Sequence, residues 1–137
     1  MNEPKKDRSP EFDSIFAKLR VVLMKHRGAL RVKEDAPGFY CLECEAGPAA
    51  VRAWGGKLKR PTISVAWVQI GKAYVSYHLM GIYGNAKLLE GMSKQLKARM
   101  QGKTCFNFKR EDEALFKELD ALTAQSFASF KKAGFTA

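Results

Sequence analysis

Residues Ile63–Leu79, ISVAWVQIGKAYVSYHL, form two apolar-rich runs interrupted by Gly71-Lys72. A glycine at the first of two central positions suits a type II′ turn, whose twist matches that of paired strands. The stretch is read as a β-hairpin whose register is set by the turn. That register puts Ile70 opposite Ala73, Val68 opposite Val75, Ala66 opposite Tyr77 and Ser64 opposite Leu79. This mostly apolar set faces the core. The other side pairs Gln69 with Tyr74, Trp67 with Ser76 and Val65 with His78, mixing aromatic and polar groups. Such alternation belongs to an antiparallel sheet with one face packed and the other open.

The flanking sequence supplies the partners of the hairpin. Met1–Arg8 lacks periodicity and reads as a tail, leaving 9–137 as a single domain. Ser9-Pro10-Glu11 has the cap, first-turn proline and acid of a helix start. Phe12, Ile15, Phe16, Leu19, Val22 and Leu23 follow at helical spacing, and Gly28 suits a left-handed end. His26, in the last turn with Lys25 and Arg27, reads as a helix-end cation. Leu30–Glu34 is a strand with Leu30 and Val32 inward, Ala36-Pro37-Gly38 a turn, Phe39–Glu45 a second strand and Ala50–Trp54 a third. Beyond the hairpin, Asn85 and Ser93 are candidate caps of two short helices. Thr104–Phe108 alternates, with Phe106 and Phe108 inward and Cys105 and Asn107 outward. Glu111-Asp112-Glu113 opens a last helix whose inner stripe is Leu115, Leu119, Leu122, Ser126 and Phe130, ended by Gly134. Clustered strands between terminal helices predict an α+β fold, an antiparallel sheet with the N- and C-terminal helices on one face.

Charge is distributed unevenly. The formal net charge is +10, and from Ala46 to Arg110 twelve Lys and Arg residues face a single acid, Glu90. A field of this sign attracts anions and speeds their encounter. No apolar run reaches the ~18 residues of a membrane span, so no membrane partner is expected. The N-terminus lacks the apolar region of a signal peptide, and the three cysteines cannot all pair. Reduced thiols and a cytoplasmic location are expected.

Motifs that carry chemistry are sparse. Cys41-Leu42-Glu43-Cys44 is an isolated CxxC on a strand, where positions three apart point to opposite faces and the sulfurs diverge. Zinc sites call for four ligands, and no metal or cofactor is expected. His78 has no nearby carboxylate in sequence to make an acid–base pair, so an enzyme centred on it ranks third. Trp67, Tyr74 and His78 on the open face, with nearby cations, suit a stackable planar anion. Arg99 and Lys103 bracket the loop into the strand ending at Lys109, and Asn107 falls on the same side. The candidate ligand-binding residues are therefore Trp67, Tyr74, His78, Arg99, Lys103, Asn107 and Lys109.

Three segments resemble the YdhG-like bacterial domain-of-unknown-function family. They are Gly71-Lys72-Ala73-Tyr74-Val75-Ser76-Tyr77-His78-Leu79-Met80, the run Lys97–Phe108 (KARMQGKTCFNF), and Asp112-Glu113-Ala114-Leu115-Phe116. The resemblance spans about Phe12 to Phe130. It implies a small α+β fold similar to frataxin, with two helices on one face of an antiparallel sheet. One branch is described as a frataxin-like iron chaperone, which makes iron handling the alternative function. Hard cations want clustered carboxylates, whereas the first helix offers Glu11 and Asp13 among Lys18, Arg20 and Lys25. The leading expectation is a cytoplasmic, non-enzymatic binding domain. Its partners would be an anionic small molecule, a nucleic acid or an acidic protein, with a second copy of the chain as a further candidate for the open face.

Overall fold

A computed structural model describes residues 10–28, 30–45, 47–48, 52, 62–84, 86–102 and 104–132. The expectations for the 1–8 tail, Ser9, Asn85, Lys103 and Gly134 fall outside those residues. Of the expected strand Ala50–Trp54 only Arg52 is described, and it is helical rather than extended.

Helix α1 (Pro10–His26) has Glu11 and Asp13 in its first turn and Lys25 and His26 in its last, matching the helix dipole at both ends. Gly28 follows with φ +53°, the left-handed conformation that glycine adopts without a Cβ penalty. Strands β1 (Arg31–Ala36) and β2 (Phe39–Glu45) form a hairpin through Pro37-Gly38. Strands β3 (Thr62–Ile70) and β4 (Val75–Leu79) form the central one. Two 3₁₀ segments, Met80–Gly84 and Ala86–Leu89, lead to the short helix α2 (Lys94–Lys97). As expected, Ser93 caps α2, its Oγ accepting the Leu96 N–H at 3.1 Å. Strand β5 (Met100–Gln101), where only a helix stop was expected, precedes β6 (Cys105–Phe108) and helix α3 (Glu113–Lys132).

The fold is α+β. The six strands form one antiparallel sheet in the order β1-β2-β3-β4-β6-β5. Helices α1 and α3 cover one face. Phe12, Ile15, Leu19 and Leu23 of α1 and Leu115, Leu119 and Leu122 of α3 pack with Tyr40, Leu42, Ala66, Val68, Val75, Tyr77, Leu79, Phe106 and Phe108. His26 Nε2 lies 2.6 Å from Asp120 Oδ1, joining the end of α1 to α3.

The central hairpin differs from its expected register by two residues. Ile70 pairs with Val75, Val68 with Tyr77 and Ala66 with Leu79. The loop is the four residues Gly71–Tyr74, where the Gly71 N–H donates to the Tyr74 carbonyl at 2.9 Å. A type II′ turn needs positive φ at its first central residue, and Gly71 is not among the positive-φ residues. Because side chains alternate with period two, this displacement leaves every β4 residue on its expected face. Two positions of β3 are corrected. Ser64, expected on the core side opposite Leu79, pairs with Glu43 beyond a bulge and falls on the open face beside Cys41, while Leu79 pairs with Ala66. Val65, expected opposite His78 on the open side, is buried: Leu42 pairs with Ala66 and Glu43 with Ser64, so Val65 bulges out of the ladder to pack with Cys44 and Phe130. Val32 lies on the expected side, opposite the core residue Leu42, but it is 43% exposed because β1 is an edge strand interrupted by a bulge between Val32 and Glu34.

Tyr77, fully buried under α3, lies with its OH 2.6 Å from Thr123 Oγ1. Burial is the main cause that holds its phenol well above the ordinary 10.0. A raised folded-state pKa stabilises fully below the unfolded value and loses that contribution as pH climbs past it. Tyr77→Phe should lower stability by about 1–3 kcal/mol at neutral pH through the orphaned Thr123 hydroxyl. It should also flatten the loss of stability expected of the wild-type protein above about pH 10. Urea melts across pH check both; a variant with unchanged alkaline sensitivity would assign that sensitivity to other groups.

Candidate functional site

The site follows from the pairing of strands on the face away from the helices. Directly opposed residues in an antiparallel ladder share a face. Cys41 pairs with Trp67, Trp67 with His78, His78 with Cys105 and Cys105 with Gln101, so these five make one row across β2, β3, β4, β6 and β5. Beside it runs Phe39, Gln69, Ser76 and Asn107. The hydrophobic alternation that buries the opposite face thus sets the order of polar and aromatic groups here.

Trp67 and His78 stack, with ring centroids 4.4 Å apart and planes 14° from parallel. Each ring spends one face on the other. His78 Nε2 is 3.6 Å from Cys105 Sγ, and the same thiol reaches Asn107 Oδ1 at 3.4 Å. Asn107 Nδ2 donates to Gln101 Oε1 at 2.7 Å, and the Tyr74 OH donates to that oxygen at 3.2 Å. Gln101 therefore uses its carbonyl for two donors, which leaves its amide N–H groups to serve other acceptors. Desolvation lowers the His78 pKa below the ordinary 6.5 and raises the Cys105 thiol above 9.0. Both groups are neutral near pH 7.

A shallow cleft of about 350 Å³ opens at the β5–β6 end of this network. It is lined by Tyr74, Arg99, Gln101, Asn107 and Lys109, with Ala98 and Met100 completing the wall. Four of the expected residues thus meet in one place. Trp67 and His78 do not line the cleft. They lie one step along the sheet and connect to it through Cys105 and Asn107. Among the expected aromatics, Tyr74 is the one that lines the cleft. Lys103 lies outside the described residues. Sequence reasoning passed over Gln101, read as part of a helix stop, and the partnership of Cys105 with His78. The outward alternation of Cys105 was a signal, but pairing it with His78 requires the β4–β6 register.

The two motif cysteines take opposite faces, as strand geometry requires. Cys44 packs with Val65 and Phe130 on the helix side, and burial pushes its thiol up to about 11. Cys41 lies beside Trp67 on the other face. A second cavity, about 460 Å³, lies where α1 and α3 end, over Leu30, Val65 and Phe130. Its Arg31 already faces Glu43 and Glu45 at 3.9 and 3.8 Å. Among the described residues no cluster of three or more His, Cys, Asp or Glu side chains is arranged to hold a metal ion. No described helix is long and apolar enough to cross a membrane. The chain matches no family model, no curated protein and no solved structure.

Proposed function

We propose that this chain is a cytoplasmic, non-enzymatic domain that binds a phosphate-bearing ligand with a stackable ring at the Tyr74–Lys109 cleft. The observation that carries the reading is the meeting of two cations, Arg99 and Lys109, with the Tyr74 ring and the Gln101 and Asn107 amides in that one cleft. Cations position a phosphate, an aromatic ring accepts a base, and amides read polar edges. The sequence excess of Lys and Arg between Ala46 and Arg110 adds long-range attraction. Membership of the YdhG-like family, proposed on the segments quoted above, is compatible with this reading and adds no activity to it.

Titration of a single-stranded oligonucleotide and a mononucleotide at rising salt tests the proposal. Affinity should fall steeply with salt. Lys109→Ala, and with it Lys103→Ala, should weaken binding and reduce the salt slope by about one for each phosphate left without its cation. Tyr74→Ala should weaken binding by about 1–3 kcal/mol with little change in slope, because stacking releases no counterions. Binding that survives Tyr74→Ala and Arg99→Ala unchanged would make the attraction diffuse and remove the cleft from the proposal. Preference for an acidic protein over either nucleotide probe would overturn the phosphate assignment.

A further inference from the structure

We propose that Cys105 is a modification site, a thiol assisted by His78 that takes small carboxylate- or phosphate-bearing electrophiles delivered by the adjoining cleft. The three thiols are all free, but they are not equivalent. Cys41 and Cys44 are 2% and 8% exposed, whereas Cys105 is partly open to solvent. Its sulfur sits 3.6 Å from His78 Nε2, and the Trp67 stack fixes the imidazole plane in that position. Asn107 is bonded to the thiol and lines the cleft, so the nucleophile and the anion site share a wall.

The protonation states suit general-base assistance rather than a preformed thiolate. Burial keeps the imidazole neutral and keeps the proton on sulfur until reaction. At rest the thiol donates that proton to Asn107 Oδ1. With the imidazole in the tautomer that has its lone pair on Nε2, the proton turns to that nitrogen when the thiol reacts. The groups that face His78 from its neighbours are Trp67 on β3 and Cys105 on β6. Strands β3, β4, β5 and β6 carry no carboxylate, Lys or Arg. Among the described residues, the charges of the hairpin loop and the cleft are Lys72, Arg99 and Lys109, and no acid adjoins the ring to hold it protonated. In the reaction Sγ bonds to the electrophilic carbon while the bond from that carbon to its leaving group breaks. The leaving group departs as an anion, and the thiol proton passes to His78 Nε2 and then to water. Preference for anionic reagents rests on the function proposed above. The thiol–imidazole pair does not.

Alkylation of the full chain by iodoacetamide and by iodoacetate, resolved by cysteine with mass spectrometry, tests the inference. Cys105 should react about tenfold or more faster than Cys41 and Cys44. Its iodoacetamide rate should level off by about pH 7, following the imidazole instead of free thiol ionisation near pH 8.5. His78→Phe keeps a ring against Trp67 but removes the base. It should slow Cys105 at neutral pH by about tenfold or more and move the rise to alkaline pH. His78→Asn, with circular dichroism to verify the fold, should do the same. An unchanged pH profile in both variants overturns imidazole assistance. Replacing Arg99 and Lys109 by Ala should reduce the iodoacetate-to-iodoacetamide ratio by about tenfold and leave the pH profile intact. An unchanged ratio overturns delivery by the cleft. If oligonucleotide binding fails while the His78-dependent profile persists, the binding proposal falls and the assisted thiol stands.

Discussion

Val75→Asp should unfold a large fraction of the protein. Val75 is fully buried, sits opposite Ile70 on one side and Phe108 on the other, and belongs to the main core cluster. A carboxylate there loses its hydration and gains no partner, a loss of about 3–5 kcal/mol or more. Total stabilities of domains are only about 5–15 kcal/mol. The next residue provides the control. Ser76 faces the opposite side, half-buried between Gln69 and Asn107 in register. Ser76→Asp should change stability by about 1 kcal/mol or less. Urea melts of the pair compare the two faces directly, and equal destabilisation would contradict the facing of β4.

A methyl group at Gly81 should be nearly as damaging. Gly81 is the point where the first 3₁₀ segment crosses α3, and a Cβ built there falls well inside contact distance of the Ser126 hydroxyl and the Ser126 main-chain carbonyl. The hydroxyl can rotate, but the helix backbone cannot. Gly81→Ala should therefore cost about 3 kcal/mol or more, at the upper end for overpacking. At Gly91 a Cβ meets nothing within 4 Å, and the backbone is not in the left-handed region. Gly91→Ala should be neutral or stabilise by up to about 1 kcal/mol, because alanine has less freedom to lose on folding. Thermal melts that rank the two variants in the reverse order would mean the 3₁₀ segment does not seat on α3 as described.

These contrasts show which parts of the fold were legible in the chain. The buried stripe Leu115, Leu119, Leu122, Ser126 and Phe130 was readable because helical period and burial coincide over many residues. The faces of β4 were readable although the turn was misread, since a shift of two residues preserves the side of each side chain. Val65 was not readable. A bulge is a property of two strands together, and β2 is remote in sequence from β3. The same distinction applies to the site. Alternation within single strands placed Trp67, Tyr74, His78 and Asn107 on one face. The meeting of Tyr74 with Arg99 and Lys109, and of His78 with Cys105, depends on the β4–β6–β5 register. Local patterns do not encode such long-range pairings.

Both borders of the sheet are poor templates for another strand. At one border β1 reads Arg-Val-Lys-Glu-Asp-Ala, charged along most of its length and interrupted by a bulge. At the other, β5 offers two residues. Charge, irregularity and brevity are what prevent a neighbouring chain from adding on edge to edge. The described strands therefore disfavour growth into a fibre by recruitment of strands at the rims. Copies of this chain that associate through the sheet would do so by its open face, which would bring them into competition with whatever occupies the surface around Trp67 and Tyr74.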